Sequence, residues 1–97
     1  MLNSRQRAQL KGLGSNLTAI YQIGKSGLND ELLRQMDGAL NNRELIKITV
    51  LETCPDEARH LCERCSAILK AEPVQVIGRK FVLYRKSKDH KTIELVK

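Results

Sequence analysis

The chain of 97 residues and 11.0 kDa has the length of one domain and can bury one apolar core, which leaves no room for two functional modules. Its 41% hydrophobic and 29% charged content is that of a globular protein and excludes disorder over most of its length. Seventeen Lys and Arg against eleven Asp and Glu give a net charge of +6 and a pI near 9.5, a balance that favours polyanionic partners.

The charge is unevenly spread. Residues 1–28 carry four bases and no acid, residues 74–97 carry seven bases and two acids, and the stretch between is mildly acidic. No segment approaches the roughly 18 apolar residues of a membrane helix, and the N-terminus lacks the apolar run of a signal peptide. A soluble, cytoplasmic protein is expected, with no membrane partner. Three cysteines, an odd number, fit reduced thiols better than a disulfide framework.

In chain order, Ser4 can cap a first helix from about Arg5 to Leu13, with Gly12 and Gly14 marking its end. Its apolar side is thin, so it is expected at the domain edge with its bases in water. Leu17 to Ile23 reads as a short strand. The segment Gly24-Lys25-Ser26-Gly27 follows, and Asn29 then caps a second helix whose Leu32, Leu33, Met36, Ala39 and Leu40 recur at helical spacing until Asn41-Asn42. Glu44 to Leu51 alternates Ile46, Ile48 and Val50 with Lys47 and Thr49, the pattern of a half-buried strand whose second face is partly wet.

Thr53, Pro55 and Asp56 open a third helix with Ala58, Leu61, Cys62, Cys65, Ile68 and Leu69 as its apolar stripe, closed by Pro73. Val74 to Ile77 and Phe81 to Arg85 form a hairpin across Gly78-Arg79-Lys80. The order α-β-α-β-α-β-β predicts an α/β, two-layer α+β domain over residues 1–86 with a mixed four-stranded sheet. Strands joined through helices pair in parallel, the hairpin adds an antiparallel strand, and residues 87–97 form a basic tail.

The glycine-bracketed loop is the strongest chemical signal. Glycines permit a tight turn and a close approach of backbone to ligand, Lys25 supplies a cation, Ser26 a hydroxyl, and a helix N-terminus lies behind them. A lone Gly-x-x-Gly is a weak motif and often an ordinary turn. Placed between a strand and a capped helix, it has the arrangement with which KH modules clamp a nucleic-acid backbone. The spacing Gly-x-x-x-x-Gly-Lys-Ser/Thr is missing, which argues against a nucleoside triphosphatase. With only Tyr21, Phe81 and Tyr84 aromatic, no stacking platform is expected, so recognition leans on backbone and shape.

Cys62-Glu63-Arg64-Cys65, with His60 and Cys54 nearby, invites a metal or redox reading, but both cysteines fall in the apolar stripe, where small hydrophobes belong. No metal, cofactor or catalytic group is expected. His60 and His90 have no nucleophile or paired acid at a recognisable spacing.

Lys11-Gly12-Leu13, Ile23-Gly24-Lys25-Ser26-Gly27-Leu28, Glu44-Leu45-Ile46-Lys47 and Val76-Ile77-Gly78-Arg79-Lys80 leading to Val82-Leu83-Tyr84-Arg85 resemble, in order, the signatures of the bacterial YhbY proteins. These are stand-alone forms of the chloroplast RNA splicing and ribosome maturation (CRM) domain. The resemblance spans about residues 4–86; Thr18-Ala19 and Asn42-Arg43 depart from the family pattern away from the loop. It implies a fold like the C-terminal domain of the third bacterial translation initiation factor and association with large-subunit ribosomal RNA in a pre-50S particle. Site residues carried over by position are Gly24, Lys25, Ser26, Gly27, Lys47, Arg79, Lys80 and Arg85; charge alone adds Arg5, Arg7, Lys11 and Lys86. A monomer is expected. The alternative function is a protein-binding adaptor that docks on a ribosomal protein through the hairpin face.

Overall fold

The computed structural model describes residues 2–97. Its elements are α1 (Ser4–Ser15), β1 (Tyr21–Ile23), α2 (Asp30–Arg43), β2 (Leu45–Val50), α3 (Ala58–Leu69), β3 (Glu72–Ile77) and β4 (Lys80–Tyr84), an α-β-α-β-α-β-β order with one mixed four-stranded sheet. The sheet order is β1-β2-β4-β3: β1 runs parallel to β2, and β4 is antiparallel to both β2 and β3. The hairpin strand therefore inserts between the strands that α3 joins, instead of adding at an edge. Gly78, at φ 57, takes the first central position of the hairpin turn, the glycine-first arrangement of a tight two-residue connection.

Alternation along the strands builds two cores. Ile46, Ile48, Phe81 and Leu83 point to one face, where α2 and α3 bury Met36, Leu40, Leu61, Cys62 and Cys65 against them. Leu45, Val82 and Tyr84 point to the other face and pack with Leu10 of α1 and with Ile93 and Leu95 beyond the last strand. Helices cover both faces, so α1 is a third layer rather than an edge helix; on the second face of β2 Lys47 is buried and Thr49 stays partly exposed.

Local signals explain most boundaries. Asn29 accepts from the Leu32 N–H at 2.8 Å, as its N-cap position predicts. The first helix begins one residue earlier than expected, because Asn3 and Gln6 form a reciprocal capping box. It also runs through Gly12 and Gly14. At Gly14 a Cβ would lie 3.2 and 3.3 Å from the methyls of Val82, so the glycine lets α1 sit down on the sheet. Gly14→Leu should force the two apart and cost about 1–3 kcal/mol, read as a lowered urea midpoint.

The third helix starts at Ala58 with Glu57 as its N-cap, without the side-chain cap expected from Thr53. It ends when Lys70 turns left-handed at φ 55, and Pro73 lies inside edge strand β3, where a missing N–H is tolerated, beside a register shift. Ser66 takes the buried place expected of Ile68, which is 52% exposed.

Residues 87–97 have no regular secondary structure but are tied to the domain. Glu44, at φ 66 and fully buried, follows α2 and accepts hydrogen bonds from the backbone N–H groups of Ser87, Thr92 and Ile93 at 2.7, 2.7 and 2.8 Å. Gln6 and Gln9 of α1 hold the far end through the carbonyls of Val96 and Glu94. The basic tail is thus a strap that closes the second core.

Candidate nucleic-acid interface

The register fixes what shares the rim of the sheet. Ile23 pairs with Val50, Thr49 with Lys80, and Lys80 with Ile77, so the Gly24–Gly27 loop, the turn after β2 and the hairpin turn at Gly78-Arg79 all leave the same end. The Val50 N–H donates to the Arg79 carbonyl and ties the last two together. Lys25, Ser26, Arg79 and Lys80 are all exposed there.

Within the loop, the Gly27 N–H donates to the Gly24 carbonyl at 2.9 Å and closes a turn. The N–H groups of Lys25 and Ser26 have no hydrogen-bond partner among the described residues. Gly27 has φ 67, a conformation costly for any residue with a Cβ; Gly24 lies where a Cβ would meet Leu51 at 3.4 Å. The loop borders a groove of about 370 Å³ lined also by Gln22, Asn29, Glu31 and Gln35. Such a concavity, with two free donors, a cation, a hydroxyl and a helix N-terminus, suits a phosphate oxygen. Glu31 lines it too, and Asp56 Oδ2 lies 4.0 Å from the Cβ position of Gly27, so the loop is not a plain positive patch.

The remaining expected residues separate into three groups. Arg7 and Lys11 project from α1 along β3, where Arg7 donates to the Pro73 carbonyl; Arg59, at the start of α3, joins them across a groove of about 440 Å³. Sequence reading missed Arg59 because it sits in an acidic stretch, and only the packing of α3 beside β3 pairs it with α1. Arg5 is exposed on the first turn of α1. Lys86 is exposed at the opposite end, since β4 carries the chain about 13 Å away from the loop rim.

Lys47 and Arg85 are not surface cations. Lys47 is 9% exposed beneath α1, with its ammonium donating to the Gly14 carbonyl at 3.3 Å. The Arg85 guanidinium pairs with Asp37 at 2.7 Å and also donates to the carbonyls of Asp37 and Leu69 and to the Asn41 side chain. It staples the end of β4 to α2 and α3. Both bases are engaged in packing contacts in this chain, which their charge alone does not reveal.

Cys62 and Cys65 are 1% and 0% exposed in the main core, as the apolar stripe predicts. Burial pushes both thiols upward, Cys65 to about 12, so neither supplies a thiolate near neutral pH.

A model of the CRS1/YhbY (CRM) domain matches residues 2–85. The chain belongs to this family. As a CRM domain it is 40% identical over 95 residues to a Bacillus subtilis protein named "Probable RNA-binding protein YqeI", covering 98% of this chain and 99% of that one. It is 34% identical over 90 residues to an RNA-binding protein of Haemophilus influenzae, covering 93% and 91% of the two chains. Among solved structures, the hypothetical protein SAV1595 of Staphylococcus aureus superposes with a TM-score of 0.82 at 45% identity, covering 99% of this chain and all of that one. No helix among the described residues is long and apolar enough to cross a membrane.

Proposed function

We propose that this CRM domain is a non-catalytic, monomeric RNA-binding protein of the cytoplasm that assists assembly of the large ribosomal subunit by holding precursor ribosomal RNA through its sugar-phosphate backbone. The observation that carries the reading is the Gly24–Gly27 turn, whose unpartnered Lys25 and Ser26 N–H groups lie beside an exposed ammonium and hydroxyl. Full-length similarity to proteins named as RNA-binding supports the class of ligand. Lys25 and the loop donors grip one phosphate. Arg79 and Lys80 on the same rim, and Arg5, Arg7 and Lys11 on α1, extend the contact, with Lys86 reserved for RNA that reaches the far end. Lys47 and Arg85, engaged inside the fold, have no part in it.

Backbone binding of this kind releases counterions. If about five bases touch phosphates, a log–log plot of affinity against salt for single-stranded RNA should have a slope of about −3.5, measured by filter binding. A slope near zero would remove the phosphate grip.

A further inference from the structure

The loop and the α1–β3 groove are separate cationic sites. Lys25 stands at the end of β1 and the Arg7–Lys11–Arg59 groove at β3, the two edges of a sheet ordered β1-β2-β4-β3, so three strand spacings, or about 14 Å, lie between them. The surface between is mixed in charge, with three acids and two bases around its basin. The basin framed by the β2–α3 turn and the hairpin is lined by Glu52, Asp56 and Glu57, with Arg59 and Arg79 among its other lining residues.

A single strand laid from one site to the other would carry its phosphates over three carboxylates. Arg59 and Arg79 offset two of these charges, and the one that remains makes the basin less attractive to a phosphate than the loop or the groove. Gln75 lines the groove beside Arg7 and Lys11, with its side-chain oxygen buried below the surface. Arg7 is held in place by its bond to the Pro73 carbonyl, which lowers the entropy lost when it meets an anion.

Resting on the RNA-binding reading above, we propose that the Arg7–Lys11–Arg59 groove is a second backbone subsite that takes the opposite strand of an RNA helix while the Gly24–Gly27 loop takes the first. The basin between them, with Arg79 at its border, faces the helix groove. The preferred ligand is therefore double-helical RNA presenting two backbones at once, recognised by shape.

The test is a matrix of filter-binding titrations at fixed salt. A 12-base-pair RNA hairpin and one of its strands alone are titrated with the wild-type chain, a groove variant (Lys11→Ala with Arg59→Ala) and a loop variant (Lys25→Ala with Ser26→Ala). The groove variant should lose at least tenfold in affinity for the hairpin and stay within twofold for the single strand, while the loop variant weakens on both. Circular dichroism on the groove variant checks that it folds; all four substituted residues are exposed, and unfolding of either variant is answered by repeating the arm with Arg59→Gln or Lys25→Gln alone. Equal losses on hairpin and single strand, or no loss on either, would overturn the second subsite. If only the loop variant is silent, the loop grip fails and the groove stands.

Discussion

Glu44→Ala should be the most destabilising single substitution on the surface-proximal part of this fold, costing about 3–5 kcal/mol in urea unfolding. The carboxylate is fully buried and is the shared acceptor for Ser87, Thr92 and Ile93, which would be left with orphaned N–H groups at about 1–3 kcal/mol each. Some of that loss is recovered when the freed strap reaches water. The same substitution in a chain ending at Lys86 should cost far less, because the donors are gone; equal losses in both backgrounds would show that Glu44 acts through something other than the strap.

The charge state of Glu44 makes the strap sensitive to acid. Burial raises its pKa, but the backbone bonds from Ser87, Ile93 and Thr92 and the Thr92 hydroxyl together outweigh it, and the net result lies below the ordinary value of 4.5. A carboxyl depressed in the folded state stabilises fully above its unfolded value and loses that contribution as pH falls through the folded one. Stability should therefore decline below about pH 4.5, and Glu44→Gln should flatten that limb of the profile. A profile in which Glu44→Gln retains the wild-type slope would contradict the assignment.

The second large effect concerns function. Lys25→Asp with Ser26→Asp moves the loop from cationic to strongly anionic at the point where a phosphate is proposed to sit. Loss of charge-assisted bonds of about 1.5–3 kcal/mol corresponds to roughly a 10- to 100-fold fall in RNA affinity, before added repulsion. Both residues are exposed and without side-chain partners among the described residues, so the urea midpoint should not change. Unchanged affinity in the folded variant would take the loop out of the mechanism.

What the sequence made legible was what local chemistry decides. The Asn29 cap, the apolar periodicity of α2 and α3, the alternation of β2 and the placement of Gly-x-x-Gly between strand and helix all follow from interactions within a few residues. The path of α1 through Gly12 and Gly14 did not, because helix propensity is overridden there by close packing on Val82. The insertion of β4 between β2 and β3 is a choice of pairing that strand patterns leave open.

The candidate site divided in the same way. The loop could be read directly, whereas the internal roles of Lys47 and Arg85 and the surface role of Arg59 depend on partners from elsewhere in the chain: Gly14 for Lys47, Asp37 and Asn41 for Arg85, and Arg7 and Lys11 for Arg59. Glu44 is the clearest case. In the sequence it only opens the Glu44–Leu51 strand, and its structural role comes from three N–H groups at least 43 residues away.

The central claim, that the loop rim holds large-subunit precursor RNA, is tested most directly by ultraviolet crosslinking in cells followed by sequencing of the attached RNA, with wild-type chain and the Lys25→Asp, Ser26→Asp variant at equal abundance. The account predicts enrichment of large-subunit precursor RNA on the wild-type chain and its collapse on the variant. Absence of that RNA from the wild-type crosslinks, or equal recovery from both chains, would contradict it.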